Sequence, residues 1–573
     1  VEGSGEDPYL GSVMAAARVR GFQGDDLAAA NTLMATAKHF VAYGGAEGGR
    51  DYNTVDVSER TLREVYLPPF HAAVRAGVGS IMAAFNEIGG VPMHANRHLL
   101  HDVLREEWGF DGVVVSDYTG VMELMPHGIA GSPEEAGLAA IRAGVDIDMV
   151  SGIYLNDLPA AVREGRLAEN VVDDAVRRVL EAKVRLGLFE DPYRYSDAQR
   201  ERDSTLTPAH VEAAREMARE SMVLLKNDGG LLPLAKAPGT LAVIGVLADS
   251  QRVALGSWAA AGRAEDAVTV LEGIRQAVEP GTRVLYARGS DVMSADTSGF
   301  AEAVAAARQA DVVVLVLGEH HDMSAEAFSR ASLDLPGVQQ DLARRVAAVG
   351  KPVVAVLMNG RPLSVSWLDE NVSAILETWF LGVRMGPAVA DVLFGAVAPS
   401  GKLPVTFPRT VGQVPIYYDH KNTGRPPDPE NRFTSKYLDI PWTPLYPFGH
   451  GLSYTTFEYA DPMVSAPVIG PEDSLSVSVT VTNSGERAGT EVVQLYLRDD
   501  VASVTRPVME LRGFRRIELA PGESRDVVFR LGPDDLAFWN LDMERVVEPG
   551  RFTVFVGGSS EATDSARFTV EAR

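Results

Sequence analysis

The residues best suited to chemistry stand at the ends of apolar runs. Val113, Val114 and Val115 lead through Ser116 into Asp117 and Tyr118. A solidly apolar run of this kind reads as a strand buried on both faces, as in a parallel sheet. Asp117 then falls where the strand ends, the place at which a (β/α)8 barrel presents catalytic side chains. A carboxylate held there can act as a nucleophile, and Asp117 is read as one. Lys38 and His39 end another strand candidate, 34–41. Both can hydrogen-bond the hydroxyls of a polyol, and a lysine helps keep a nearby carboxylate charged. For the pair taken alone, a solvated lysine and a structural histidine is the stronger reading.

A second cluster, Glu319-His320-His321-Asp322, leaves the apolar run 312–317, with Glu326 and Arg330 following in a loop. A metal site is set aside here. No HExxH spacing is present, and adjacent histidines on an extended loop point in different directions. A loop carboxylate reaching into a cleft is the reading kept, because acid catalysis needs one carboxyl protonated while its partner stays ionised. Trp258 sits in a loop where it could stack on a sugar ring, although a tryptophan is more often core. Arg50 follows the glycine-rich stretch 44–49, which lacks the spacing of a phosphate loop. Ile244-Gly245-Val246 lacks the GxGxxG of a dinucleotide fold. Glu6-Asp7-Pro8-Tyr9 could orient a loop or cap a helix.

The elements that must position these residues fall into blocks. Residues 1–200 alternate strand candidates (34–41, 80–85, 112–116, 145–149) with helical patterns at 58–76, 133–143 and 168–186. Such alternation implies a parallel sheet. Only four or five strands can be counted, however, where a whole barrel takes roughly 250 residues. After a charged linker, 212–408 repeats the alternation and predicts an open α/β sheet with helices on both faces. The Pro-, Gly- and Tyr-rich stretch 409–457 reads as a connector packed on its neighbours. From 458 to 573 the period becomes two, with turn signals between short runs, which indicates a β-sandwich.

The chain has 573 residues and a net charge of −25, with 46% hydrophobic residues. Such acidity argues against nucleic acid or an anionic membrane as partner. There is no cysteine, so disulfide and thiolate chemistry are excluded. No apolar run is long enough to span a membrane. The chain begins at Val1, and the expectation is a processed or truncated product.

These strings together closely resemble the family 3 glycoside hydrolases of the three-domain bacterial β-glucosidase type. They are GEDPYL (5–10), KHF (38–40), YNTVDVSERTLREVYLPPF (52–70), VVVSD (113–117), LLKNDGGLLPL (224–234), GSWAAAG (256–262), LMNGRPL (357–363), SGKLPVTFPR (400–409), YPFGHGLSYTTF (446–457) and ELRGFRRIELAPGES (510–524). The likeness runs end to end in family order. It implies an α/β multidomain chain: a (β/α)8-type barrel lacking its N-terminal part, an α/β sandwich and a fibronectin type III-like β-sandwich. It also implies a retaining exo-β-glucosidase. Asp117, ionised beside Lys38, would form the covalent glycosyl-enzyme, and Glu326 from the second domain would be the acid/base, with Glu319 as the fallback. Lys38, His39 and Arg50 fall in the region lining the sugar subsite. Phe85, Tyr118 and Trp258 match aromatic positions around the cleft, Phe85 standing where some relatives carry Tyr.

No metal or organic cofactor is implied. The expected partner is an oligosaccharide or aryl β-glycoside; a homodimer is allowed, as is a separate N-terminal fragment that completes the barrel. Full-length relatives carry barrel sequence upstream of GEDPYL, including a sugar-binding Asp and a Trp-Gly-Arg segment, that has no counterpart here. Two alternatives stay open: a β-xylosidase of the same family, and a catalytically silent sugar-binding protein.

Overall fold

Alternation of buried runs with amphipathic helices builds the first of two compact units, Gly3–Thr205 and Leu206–Arg573. The computed structural model describes residues 3–237 and 239–572. In the first unit, β1 (Thr36–Phe40), β2 (Ser80–Ala83) and β3 (Val113–Val115) form a parallel sheet in the order 1-2-3. Register is set by Thr36 opposite Ser80 and Ser80 opposite Val113. The sheet does not close, in keeping with a barrel that lacks part of its strands. Helix Pro8–Gln23 begins at Asp7, whose carboxylate accepts the Leu10 N–H at 2.6 Å, so the acidic string there caps a helix.

Two expected elements differ. The run 145–149 makes only a bridge, Val115 to Ile147. Beside it the buried Asp146 side chain takes the Val114 N–H at 2.8 Å, so a side chain supplies an acceptor that a neighbouring strand would otherwise provide. Arg105 and Arg178 hold that carboxylate at 2.7 and 2.8 Å, which a buried charge requires. The helix expected over 58–76 is broken into Glu59–Thr61, a π-helical Leu62–Tyr66 and Pro68–Arg75. Pro68 and Pro69 lack the N–H groups an unbroken helix would use. Ser58 still caps the first turn, accepting from the Thr61 N–H.

The second unit opens with a six-stranded sheet. Its strands are β4 (Val223–Asn227), β5 (Thr240–Ile244), β6 (Arg283–Ala287), β7 (Val312–Gly318), β8 (Val353–Met358) and β9 (Ala374–Glu377), in the order 4-9-8-7-5-6. All pairs are parallel except β4 with β9. The central strands are buried on both faces, as their unbroken Val, Ile and Leu content requires. Strand β4, not expected from the sequence, is a short apolar edge strand directly after helix Pro208–Ser221.

The C-terminal β-sandwich pairs β10 (Leu475–Asn483) with β13 (Ser524–Leu531) in one sheet. In the other, β11 (Gly489–Asp499) lies between β12 (Glu510–Leu519) and β14 (Gly550–Gly557), with β15 (Ser565–Val570) beyond. Leu475, Val477, Val479 and Val481 face the core and the intervening Ser and Thr face outward, as period two demands.

The aromatic connector is fixed to both neighbours, the Tyr446 hydroxyl donating to Asp369 of the α/β block at 2.7 Å. Tyr418 stacks on Phe448 at 4.5 Å, and its hydroxyl accepts the Leu511 N–H at 2.8 Å. Lys402 pairs with the buried Glu491 at 2.9 Å. Among the described residues, no helix is long and apolar enough to cross a membrane.

Candidate active site

Strand β3 delivers Asp117 two residues beyond its end, and the residue is only 7% exposed. Its carboxylate is positioned from two sides. Oδ1 accepts the Tyr118 N–H at 2.7 Å, and Oδ2 lies 3.4 Å from His39 Nε2 on β1. A backbone N–H donated to a carboxylate favours its anion, which is the form a nucleophile needs. The Asp117 backbone N–H in turn donates to His94 Nε2 at 3.0 Å. For that nitrogen to accept it must be unprotonated. Burial, and then the charge of His127, push the His94 imidazole down to about 3, so it stays neutral. Gly120 lies against this ring: a Cβ there would come within 2.3 Å of it, so a larger residue would drive His94 off the Asp117 backbone.

Aromatic rings wall the site. His39 lies 5.1 Å from Tyr43, and Tyr52 meets Phe85 edge to face at 5.2 Å, with Tyr43 6.2 Å from Phe85. Phe85 is buried within this group, while Tyr118 is 59% exposed and free to meet a ligand face. Lys38 is exposed on β1, and Arg50 is exposed just after the turn Glu47–Gly49.

In the second unit, strand order reverses between β5 and β7. Open α/β sheets bind ligands in the crevice at such a switch point, beyond the carboxyl ends of the strands. Both expected residues of this unit follow those two strands: Trp258 comes after β5 and Glu326 after β7. Ser257 ties the two segments, donating to the His321 carbonyl and lying 3.2 Å from that of Ser324. Trp258 is 59% exposed; Glu326 is half-buried, directly after the buried Met323, Ser324 and Ala325.

Glu319, by contrast, is a fully buried anchor. Arg330 and Arg361 lie 2.6 and 3.0 Å from its Oε1, and the Gly360 N–H donates to Oε2 at 3.3 Å. Arg361 also donates to the carbonyls of Met323 and Phe328, so the pair bound to Glu319 staples the loop that carries Glu326. At the strand end itself, Gly318 has φ +143° and lies so close to β8 that a Cβ would fall 1.9 Å from the Met358 carbonyl. Gln339 fixes it there, accepting its N–H at 2.9 Å and donating to its carbonyl at 2.8 Å.

Next along the sheet, Glu377 ends β9. Burial, opposed by the donors Trp379 N–H (3.0 Å) and Asn359 Nδ2 (3.1 Å), pushes its carboxyl up to about 8. His94, Tyr43, Tyr52 and Glu377 were not singled out by sequence. His94 follows a Gly-Gly turn in a stretch without strong periodicity, and the nearest signal for Glu377 was its place at the end of an apolar run.

In the first unit a strand-end carboxylate stands beside a histidine and a ring of aromatics; in the second, an acid stands on a loop stapled by Glu319 and Arg361. Residues 1–182 match the glycosyl hydrolase family 3 N-terminal domain, 222–454 the family 3 C-terminal domain, and 491–560 a fibronectin type III-like domain. The chain belongs to glycosyl hydrolase family 3. It is 47% identical to a periplasmic β-glucosidase of Salmonella typhimurium, over 99% of this chain and 76% of that protein. It is 45% identical to a β-xylosidase of Formosa agariphila, over 98% of this chain and 79% of that protein. Among solved structures, a β-glucosidase from Listeria innocua in complex with isofagomine superposes with a TM-score of 0.95 at 44% identity, covering 99% of this chain and 79% of that one.

Proposed function

We propose that this chain is a retaining exo-β-glucosidase that releases terminal β-D-glucosyl residues from small oligosaccharides or aryl β-glucosides. The observation that carries the reading is the seating of Asp117, with the Tyr118 N–H on one oxygen and His39 beside the other, inside an aromatic wall. In the first step the Asp117 carboxylate attacks the anomeric carbon. The bond to the aglycone oxygen breaks, and Glu326 gives that oxygen its proton. In the second step Glu326 takes a proton from water, whose oxygen attacks the anomeric carbon and releases Asp117. A retaining pair works at a separation of roughly 5–5.5 Å.

Glu326 is preferred over Glu319 as acid/base because Glu319 is fully buried and its carboxylate is taken up by Arg330, Arg361 and the Gly360 N–H, away from any substrate oxygen. Lys38 and His39, with Arg50 after them, are assigned to the sugar hydroxyls. Phe85, Tyr118 and Trp258 are assigned to the apolar faces of the substrate. A homodimer, or a separate chain adding strands beside β1, is a further partner this reading allows; light scattering of the purified chain tests the first.

The relative named a β-xylosidase supports a second reading, in which the terminal sugar lacks the hydroxymethyl group. Ratios of kcat/KM on nitrophenyl β-glucoside and β-xyloside separate the two: preference for the xyloside overturns the glucosidase assignment. The nucleophile is tested by incubating the chain with a 2-deoxy-2-fluoro glucosyl inactivator and mapping the labelled peptide. Label on Asp117 is expected. Label on another carboxylate removes the assignment, and a protein that neither labels nor turns over is a binding protein.

A further inference from the structure

The segment His98–Glu107 is a ten-residue π-helix, with the Trp108 N–H reaching back to the Val103 carbonyl at 3.1 Å. In this geometry residues five apart come side by side, an alignment an α-helix does not offer; the π-helix is rare and frequently marks functional sites. Here the aligned pair is His101 and Glu106, with His101 Nδ1 3.5 Å from Glu106 Oε1. The same nitrogen lies 3.2 Å from Asp102 Oδ1. Four-coordinate zinc, with bonds of about 2.0–2.2 Å to nitrogen and oxygen, separates its ligands by about 3.3 Å. Both separations are within about 0.2 Å of that edge.

We propose that His101, Asp102 and Glu106 form a zinc site on the surface of the first unit. None of the three is among the residues assigned above to hydrolysis. His98 stands one helical turn before, its Nδ1 3.8 Å from Asp102 Oδ2 and its Nε2 3.6 Å from Glu59 Oε1. It supplies a fourth ligand, or orients Asp102 as outer-shell residues do. Imidazole with carboxylates is a donor set that suits zinc and the neighbouring first-row ions, not calcium or magnesium. Arg97, 3.8 Å from Asp102, is the cation the metal would displace.

The test is calorimetric titration of the full chain with zinc chloride in a non-chelating buffer, repeated on His101→Ala, Glu106→Gln and His321→Ala. Among the described residues, His320, His321 and Asp322 are the other group close enough to hold an ion. Saturable zinc uptake is expected, weakened at least tenfold by His101→Ala and by Glu106→Gln. In the same protein, cobalt should give the strong visible bands of a four-coordinate ion, and these should be absent from His101→Ala. The proposal is overturned if no saturable uptake occurs. It is equally overturned if His321→Ala abolishes uptake while His101→Ala leaves it unchanged.

Discussion

Asp117 and Glu326 are both carboxylates beyond the end of a parallel strand, yet they are placed by different means. Asp117 follows its strand by two residues, and backbone groups set its position: its own N–H on His94, the Tyr118 N–H on its carboxylate. Glu326 stands eight residues past Gly318, in a loop whose course is imposed by side chains, chiefly the buried Glu319 with Arg330 and Arg361. One acid is built into the sheet; the other is held by an electrostatic staple. The proposed nucleophile should therefore tolerate change poorly at every neighbour, while the proposed acid/base should fail selectively when the staple is cut.

Removing the nucleophile should have the largest effect. Asp117→Ala should cut kcat on an activated aryl glucoside by about 10⁴-fold or more, since the proposed mechanism forms its covalent intermediate on this carboxylate. Glu326→Ala should cost roughly 10²–10⁴-fold on substrates with poor leaving groups and much less on activated ones, with azide restoring turnover. If leaving-group quality makes no difference, the assignment of Glu326 is wrong.

Two milder changes bear directly on the comparison. His94→Gln should slow all substrates alike, by roughly tenfold to a hundredfold, because it shifts the nucleophile's backbone. Arg361→Ala should imitate a weak Glu326→Ala instead, with losses that grow as the leaving group worsens. It should also cost about 1.5–3 kcal/mol in urea unfolding through the charge-assisted bonds it removes. Equal leaving-group dependence in the two variants would erase the distinction drawn above.

The smallest expected effect is a slope. Burial pushes the Glu377 carboxyl up to about 8 in the folded chain, from 4.5 for the side chain in water. Between those values the native state holds a proton that the unfolded state has released, so stability falls as pH rises through this window. The contribution is about 1.4 kcal/mol per pH unit. Urea melts of Glu377→Gln at pH 5.5 and 7.5 should show a flatter dependence than the parent, with the variant gaining on it at the higher pH.

Much of this was legible because the strongest signals were local. The valine run before Asp117, the central strands of the six-stranded sheet and the alternating β10 each state their burial in their own residues. Helix Pro133–Ala143, capped by Ser132 and ended at Gly144, was readable to the residue. What escaped depends on partners distant in sequence. Residues 145–149 look like a strand, and only Asp146's bonds to Arg105, Arg178 and the Val114 N–H explain why they form a single bridge. His94 is a lone histidine in sequence, and its role exists only because Gly120 leaves room for its ring. Strand β12 (Glu510–Leu519) carries four charged side chains between its apolar ones and hid behind them, although its residues were quoted for their family likeness.

The Lys402–Glu491 pair and the Tyr418 hydrogen bond to Leu511 carry a practical corollary for anyone dividing this protein. A cut near residue 458 would strand an ammonium and a carboxylate on opposite fragments, each half-sheltered by apolar surface that then faces water. The C-terminal sandwich is thus a permanent wall of the molecule rather than cargo appended to it. Shortened versions for crystallisation or fusion should keep the chain intact through Val570.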